Sequence, residues 1–250
     1  MYQGQYETAR ELNGRALALY RELGDRQGVA RALVHLGVVA SGLKDHAAAR
    51  QHYEEALALF RALSDRRGIA TTLNNLGVIA RHQDDYAGAL RLYQEALELG
   101  RAAEDQDQLT LVLVNLGLVA TRLQQLAQAR LWLAEGLDVI LAMGAKRVGA
   151  SALEVCAEAA TSLGELDRAA ALFGAAMALR TALSIPADEW WRRTQEPARA
   201  RVELTLGIER AETMRRRGAA RAFPDVVTET SRWLREDATQ DRDESGVLSS

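Results

Sequence analysis

Residues 68–83, GIATTLNNLGVIARHQ, carry apolar side chains at helical spacing, and after Asp84-Asp85 residues 86–104, YAGALRLYQEALELGRAAE, do so again. In the second stretch Ala89, Tyr93, Ala96, Leu97 and Leu99 form one stripe, so the pair predicts a helical hairpin with its turn at Asp84-Asp85. Shifting by forty residues finds the same pattern on both sides. Leu36-Gly37, Leu76-Gly77 and Leu116-Gly117 fall in one phase, and Cys156-Ala157 takes the fourth place. Four units follow without a gap: 28–67, 68–107, 108–147 and 148–187. A hairpin of this size buries its apolar faces only against its neighbours, so the period predicts an all-α, right-handed α-solenoid.

Small residues recur where helices must approach. Ala49, Ala89, Ala129 and Ala169 share one phase, and Tyr53, Tyr93, Leu133 and Phe173 share another. Gly37, Gly77 and Gly117 sit inside first helices, where glycine costs about 1 kcal/mol against alanine, so close contact with the paired second helix is expected there.

The chain begins in mid-repeat. Gln5 to Ala9 align with Asp45 to Ala49, which places a second helix over about Tyr6–Leu23 and makes residues 1–27 an incomplete unit. Ala9, Leu12, Ala16, Leu17 and Leu19 are then expected to be partly uncovered. The simplest expectation is the C-terminal piece of a longer protein; the rival is a chain whose first helix is supplied by a partner or a second copy.

After residue 187 the period stops, and residues 188–235 are expected to form a helical cap. Pro186 and the acidic pair Asp188-Glu189 mark a helix start. Trp190 or Trp191 is expected to close the exposed end of the fourth unit, with Pro197 interrupting or kinking its helix. Further helices are expected over 199–206, 208–217 and 224–234, and a disordered tail over 236–250.

The recurring Leu-Gly, then Tyr, Ala, aromatic and Ala at fixed offsets resemble the tetratricopeptide repeat, in the long, forty-residue form similar to kinesin light chains. The extra length falls in LGDRQG, LSDRRG and AEDQDQ. The stretch with Leu172 to Ala176, Leu206-Gly207 and Arg217-Gly218 resembles the C-terminal repeat region of large bacterial regulators that join an ATPase switch domain to such repeats. That resemblance implies a sensor or partner-binding role in signalling or transcription.

Composition fits a bacterial cytoplasmic protein: 250 residues, net charge −3, 29 arginines against two lysines balanced by 34 acidic residues, and one cysteine. No run of about eighteen apolar residues suggests a membrane span. There is no GxxxxGK[ST] phosphate loop and no basic reading helix, so neither an ATPase nor a DNA reader is assigned. His46 and His52 are six apart, which does not put them on one helical face for a metal. Glu54-Glu55 and Asp84-Asp85 read as solvated carboxylates, and Cys156 as a core residue. No catalytic residue, cofactor or metal is called for. Arg210, Arg215, Arg216, Arg217 and Arg221 form a basic cluster, but aromatic side chains for stacking are lacking and Glu209 and Glu212 lie beside it, which disfavours nucleic acid.

What remains is a groove lined by first-helix positions. By phase, its candidate partner-binding residues are Arg31, Val34, Val38, Asn74, Asn75, Val78, Arg81, His82, Val114, Asn115, Leu118 and Arg122, with Ser151, Glu154 and Glu158 following in the fourth unit. A side-chain amide on a helix can make two hydrogen bonds to an extended backbone, and the repeat resemblance implies that use for Asn74, Asn75 and Asn115; bridging between helices is the alternative. Arg31, Arg81 and Arg122 favour a protein or peptide ligand with acidic residues. The expected function is therefore a protein–protein interaction scaffold. Its rivals are a response-regulator phosphatase of the peptide-regulated kind and a module that self-associates through its uncovered first helix.

Overall fold

The computed structural model describes residues 3–186 and 189–247, all helical or in turns, with no strand among the described residues. α1 (Gln3–Glu22) comes first and packs against the helix that follows it. Hairpins follow as α2 (Arg26–Gly42) with α3 (His46–Ala62), α4 (Arg66–His82) with α5 (Tyr86–Ala102), α6 (Gln106–Arg122) with α7 (Leu126–Met143), and α8 (Lys146–Ser162) with α9 (Leu166–Ala182). The first helices start at 26, 66, 106 and 146, so the forty-residue period is kept without a slip. The chain divides into two compact units, 1–112 and 113–250, the division falling inside α6.

Each turn repeats one backbone move. Gly24, Lys44, Ser64, Asp84, Glu104, Gln124, Gly144, Gly164 and Ser184 all have φ between 51° and 83°, one left-handed residue every twenty positions. Only three of the nine are glycine, so the others hold a conformation that costs an L side chain roughly 1 kcal/mol. In the first unit the next residue is an aspartate that caps the following helix. Asp25, Asp45, Asp65 and Asp85 accept from the N–H groups of Gly28, Ala48, Gly68 and Gly88 at 2.8–3.0 Å, and Asp105 from that of Gln108 at 3.1 Å. In the second unit Gln125, Ala145 and Glu165 take the same place with no side-chain cap bond.

The glycines inside first helices have the packing reason their phase required. A Cβ on Gly37 or Gly77 would strike the ring of Tyr53 or Tyr93, and one on Gly117 would strike the side chain of Leu133. Tyr53 and Tyr93 are buried to 2% and 0% exposure, and desolvation pushes both phenols up to about 12. On α1, Leu17 is buried against expectation, because α2 covers it, whereas Leu12 and Leu19 remain exposed.

The C-terminal segment departs from its sequence expectations in three ways. α10 (Glu189–Leu206) is continuous through Pro197, so the proline sits inside one helix rather than between two. It costs that helix one backbone hydrogen bond, since Pro has no N–H to offer the carbonyl of Arg193. α11 (Ile208–Ala219), not a tryptophan, closes the fourth hairpin: added methyls on Gly174 or Gly218 would meet the backbones of Arg215 and Ala171, so α9 and α11 cross at glycine. α12 (Phe223–Val247) remains helical through most of the stretch expected to be a disordered tail, no Pro or Gly interrupting it between Asp225 and Ser245; residues 248–250 lie outside the described residues.

α12 lies along α7. Ser231 donates to Asp138 at 2.6 Å, Trp233 Nε1 donates to Glu165 at 2.9 Å, and buried Arg130 donates to the carbonyls of Trp233 and Leu234. Four of the five arginines of the basic cluster, on and just after α11, pair within the chain. Arg210 pairs with Asp167, Arg215 with Glu203 and Glu212, Arg216 with Glu212, and Arg221 with Glu229.

Candidate protein-binding grooves

First-helix side chains that point away from their paired second helix recur at four phases, 31/71/111/151, 34/74/114/154, 38/78/118/158 and 42/82/122/162. The two units use them differently.

In the first unit three of these positions, Arg31, Val34 and Thr71, line an open depression of about 300 Å³; Val38, Asn74, Val78 and His82 are not among its lining residues. Its walls are Arg31, Val34 and His35 of α2, Phe60 of α3, and Arg67, Gly68 and Thr71 at the start of α4. Arg31 and Val38 are exposed, Val34, Asn75, Val78 and His82 are half-buried, and Asn74 and Arg81 are buried. Asn74 and Arg81 each make an interaction within the protein. Arg67 is exposed and pairs with Asp105 at 2.6 Å. His35 and Arg67 were not among the residues selected by phase alone, although His35 holds the position equivalent to Asn75. At the far end of α4 from the depression, the ring of His82 meets that of His46 edge-on at 5.3 Å, a pairing that their separation in sequence concealed.

In the second unit the same face is covered. Trp191 Nε1 donates to Glu154 at 2.6 Å, Gln195 Nε2 donates to Glu158 at 2.9 Å, and Arg199 pairs with Glu154 at 3.4 Å. The three donors are four residues apart along α10 and so lie on one face of it. Within the groove Glu154 also holds Arg180 at 2.7 Å, and Glu158 holds Arg122 at 2.5 Å. Arg122 donates in addition to the carbonyl of Thr194 on α10, at 2.5 Å. Burial pushes the Glu158 carboxyl above the ordinary carboxylate range, with Arg122 and Gln195 pulling the other way.

Three sequence candidates are thereby corrected. Val114 and Leu118 belong to a buried cluster that includes Trp191, Ala198 and Val202 of α10, and Arg122 is engaged with Glu158 and Thr194, so none of them faces a partner while α10 is in place. Asn115 is half-buried and also has a partner within the protein. The side chain of Trp190 lies outside the described residues. A signal for the covered groove stood in the sequence: two glutamates at i and i+4 on the groove face of the alanine-rich α8 need buried cations, and Trp191, Gln195 and Arg199 repeat at the matching step.

The tetratricopeptide-repeat family model matches residues 1–62 and 68–142, more than half of the chain. The chain belongs to the tetratricopeptide repeat family. The crystal structure of BtubC (BKLC) from P. vanneervenii is similar at a TM-score of 0.61 and 16% sequence identity, over 96% of this chain and 92% of that one. Pseudomonas aeruginosa pilF aligns at a TM-score of 0.46 and 20% identity, over 85% of this chain and 99% of that one. No curated protein sequence matches the chain. The likeness to BtubC is one of fold, an all-α solenoid, and repeats of this family are protein-interaction scaffolds in general. Among the described residues no helix is long and apolar enough to cross a membrane, and no group of three or more His, Cys, Asp or Glu is placed to hold a metal.

Proposed function

We propose that this tetratricopeptide-repeat scaffold grasps a peptide or partner domain with acidic residues in the groove of its first unit. Its cellular role is then the sensor or partner-binding part of a bacterial signalling or transcriptional regulator. One observation carries the choice of site: Arg31, His35 and Arg67 rim an open depression floored by Val34, Phe60 and Thr71, whereas the equivalent face of the second unit is occupied by α10. A floor that is mainly apolar supplies buried area for affinity, and Arg31 at the edge, with Arg67 able to exchange Asp105 for a ligand carboxylate, supplies charge for orientation. The action is binding, with no chemical step assigned to any side chain.

The test is a selection of displayed random peptides on the whole protein. Enriched sequences should contain Asp or Glu, and the double substitution Arg31→Glu, Arg67→Glu should weaken the best of them at least tenfold. Enrichment of neutral or basic peptides that the double variant still binds would refute this site.

A second use, self-association through α1, is favoured by Leu12 and Leu19 on that helix and Leu23 just after it, which are 59%, 54% and 69% exposed. Sedimentation over a range of concentrations, with Leu12→Gln and Leu19→Gln together as control, separates it from a monomeric scaffold.

A further inference from the structure

The groove of the second unit has a recognisable ligand chemistry because a ligand-like helix is lying in it. We propose that this groove is a second docking site, for a basic helix that presents Trp, Gln and Arg at steps of four residues, and that α10 occupies it in cis. It differs from the first groove in sign: its floor carries the carboxylates Glu154 and Glu158 where the first unit has Asn74 and Val78, and Val34 and Val38.

Three features make α10 exchangeable rather than a fixed wall. First, the carboxylates do not depend on it for charge balance. With α10 gone, Glu154 keeps Arg180, which donates from both Nε and Nη2 and also reaches Ser151, and Glu158 keeps Arg122. An emptied groove is therefore not left with bare buried charge, the condition that makes most buried ion pairs costly to break.

Second, α10 fits imperfectly. Gln195 Oε1 and Arg199 Nε are buried with no hydrogen-bond partner, each a loss that a better-matched helix would not carry. Third, α10 is a poor helix by itself. Pro197 stands in its interior and removes a backbone bond, and along its outer side Arg192, Arg193, Glu196, Ala200, Arg201 and Leu204 are exposed. Its helical form depends on the helices packed around it, α8, α9 and α11. An element with one face in solvent and an interrupted ladder opens more readily than helices buried on both sides.

A partner helix with the same three anchors and no proline would meet the same socket without these defects. Its apparent affinity is reduced by the fraction of molecules in which α10 is seated, so weakening the cis contact should strengthen binding in trans.

The probe is a fluorescein-labelled peptide of residues 189–206 carrying Pro197→Ala, added to the full chain. Trp191→Ala in the protein empties the indole socket, and this variant should bind the probe at least tenfold more tightly than the unaltered chain. Adding Glu154→Gln and Glu158→Gln to that variant should abolish the gain, as should Trp191→Ala in the probe. A folded Trp191→Ala protein that binds no better than the parent would overturn the proposal. Hydrogen exchange on the unaltered chain decides the matter even if that variant does not fold. Amides of 198–206 should exchange well before those of α9 and α11, and exchange of all three as one unit would sink the idea. A concentration-dependent dimer that the probe dissolves would replace the separate partner with a second copy's α10. Only second-unit side chains are altered, so failure here leaves the first-unit groove standing, and the Arg31, Arg67 substitutions leave this one untouched.

Discussion

The two units are built from one repeat and stabilised by different means. In the first, aspartate caps recur every twenty residues, Tyr53 and Tyr93 fill the space beside Gly37 and Gly77, and the groove stays open. In the second, Gln125, Ala145 and Glu165 make no side-chain cap bond. Small residues replace larger ones along α8, and three further helices supply the missing packing. A repeat that satisfies its own helix ends can leave its groove free for another molecule. A repeat that has given up its caps and core volume uses the groove and the second-helix side to bind its own C-terminal segment.

The sharpest way to break this contrast is at the crossing of α9 and α11. Gly218→Ala puts a methyl against the carbonyl of Ala171, where backbone rather than a flexible side chain must yield, and the loss should be about 3 kcal/mol. Hydrogen exchange should accelerate in α9 and α11 and stay unchanged in α2 to α5; equal acceleration everywhere would mean that the second unit is not separately held by its C-terminal helices. Gly77→Ala, in the first unit, meets only the ring of Tyr93 and recovers helix propensity, so a smaller loss of about 1–2 kcal/mol is expected in denaturant titration.

The caps give a reciprocal pair. Asp65→Ala should cost about 1 kcal/mol, while Ala145→Asp, which offers the missing acceptor at the start of α8, should add about 0.5–1 kcal/mol. If thermal unfolding shows no gain for the second change, weak capping is not what distinguishes the second unit.

Glu158 marks the covered groove by its titration. Its carboxyl is raised in the folded state, so the native protein holds more protons than the unfolded chain in the window from the ordinary value of 4.5 upward to the raised one. Its contribution to stability therefore falls as pH rises through that window. Comparing the parent with Glu158→Gln should show the slope in the parent and its loss in the variant; a difference that does not vary with pH would place Glu158 in solvent.

The smallest effect is expected at Tyr93, whose hydroxyl is buried with no hydrogen-bond partner. Tyr93→Phe should be neutral or stabilising, by up to about 1 kcal/mol in chemical denaturation.

Most of the fold was legible in the primary structure, and the groove only half so. Leu36-Gly37 and its repeats pointed to close contact with the paired second helix, and Asp84-Asp85 to a turn, because each lies between neighbours on one hairpin. Phase also selected first-helix positions that do meet a helix, at Arg122, Glu154 and Glu158, although that helix belongs to the same chain. It misplaced Val114 and Leu118, because a phase tells which way a side chain points and not what lies over it. Pro197 was expected to interrupt or kink its helix because isolated helices avoid it; here Ala198 and Val202, buried beyond it, help carry the helix through.

What the chain determined by itself is the forty-residue period, its helices and turns, and the aspartate caps of the first unit. These rest on interactions within a few residues or between adjacent hairpins, where spacing alone fixes the partners. Which groove is open was decided only in three dimensions. The bonds that fill the second one join residues 37 to 72 apart, and no local pattern specifies them. They form because two buried glutamates, a tryptophan and an arginine are better paired with each other than left in a bare groove.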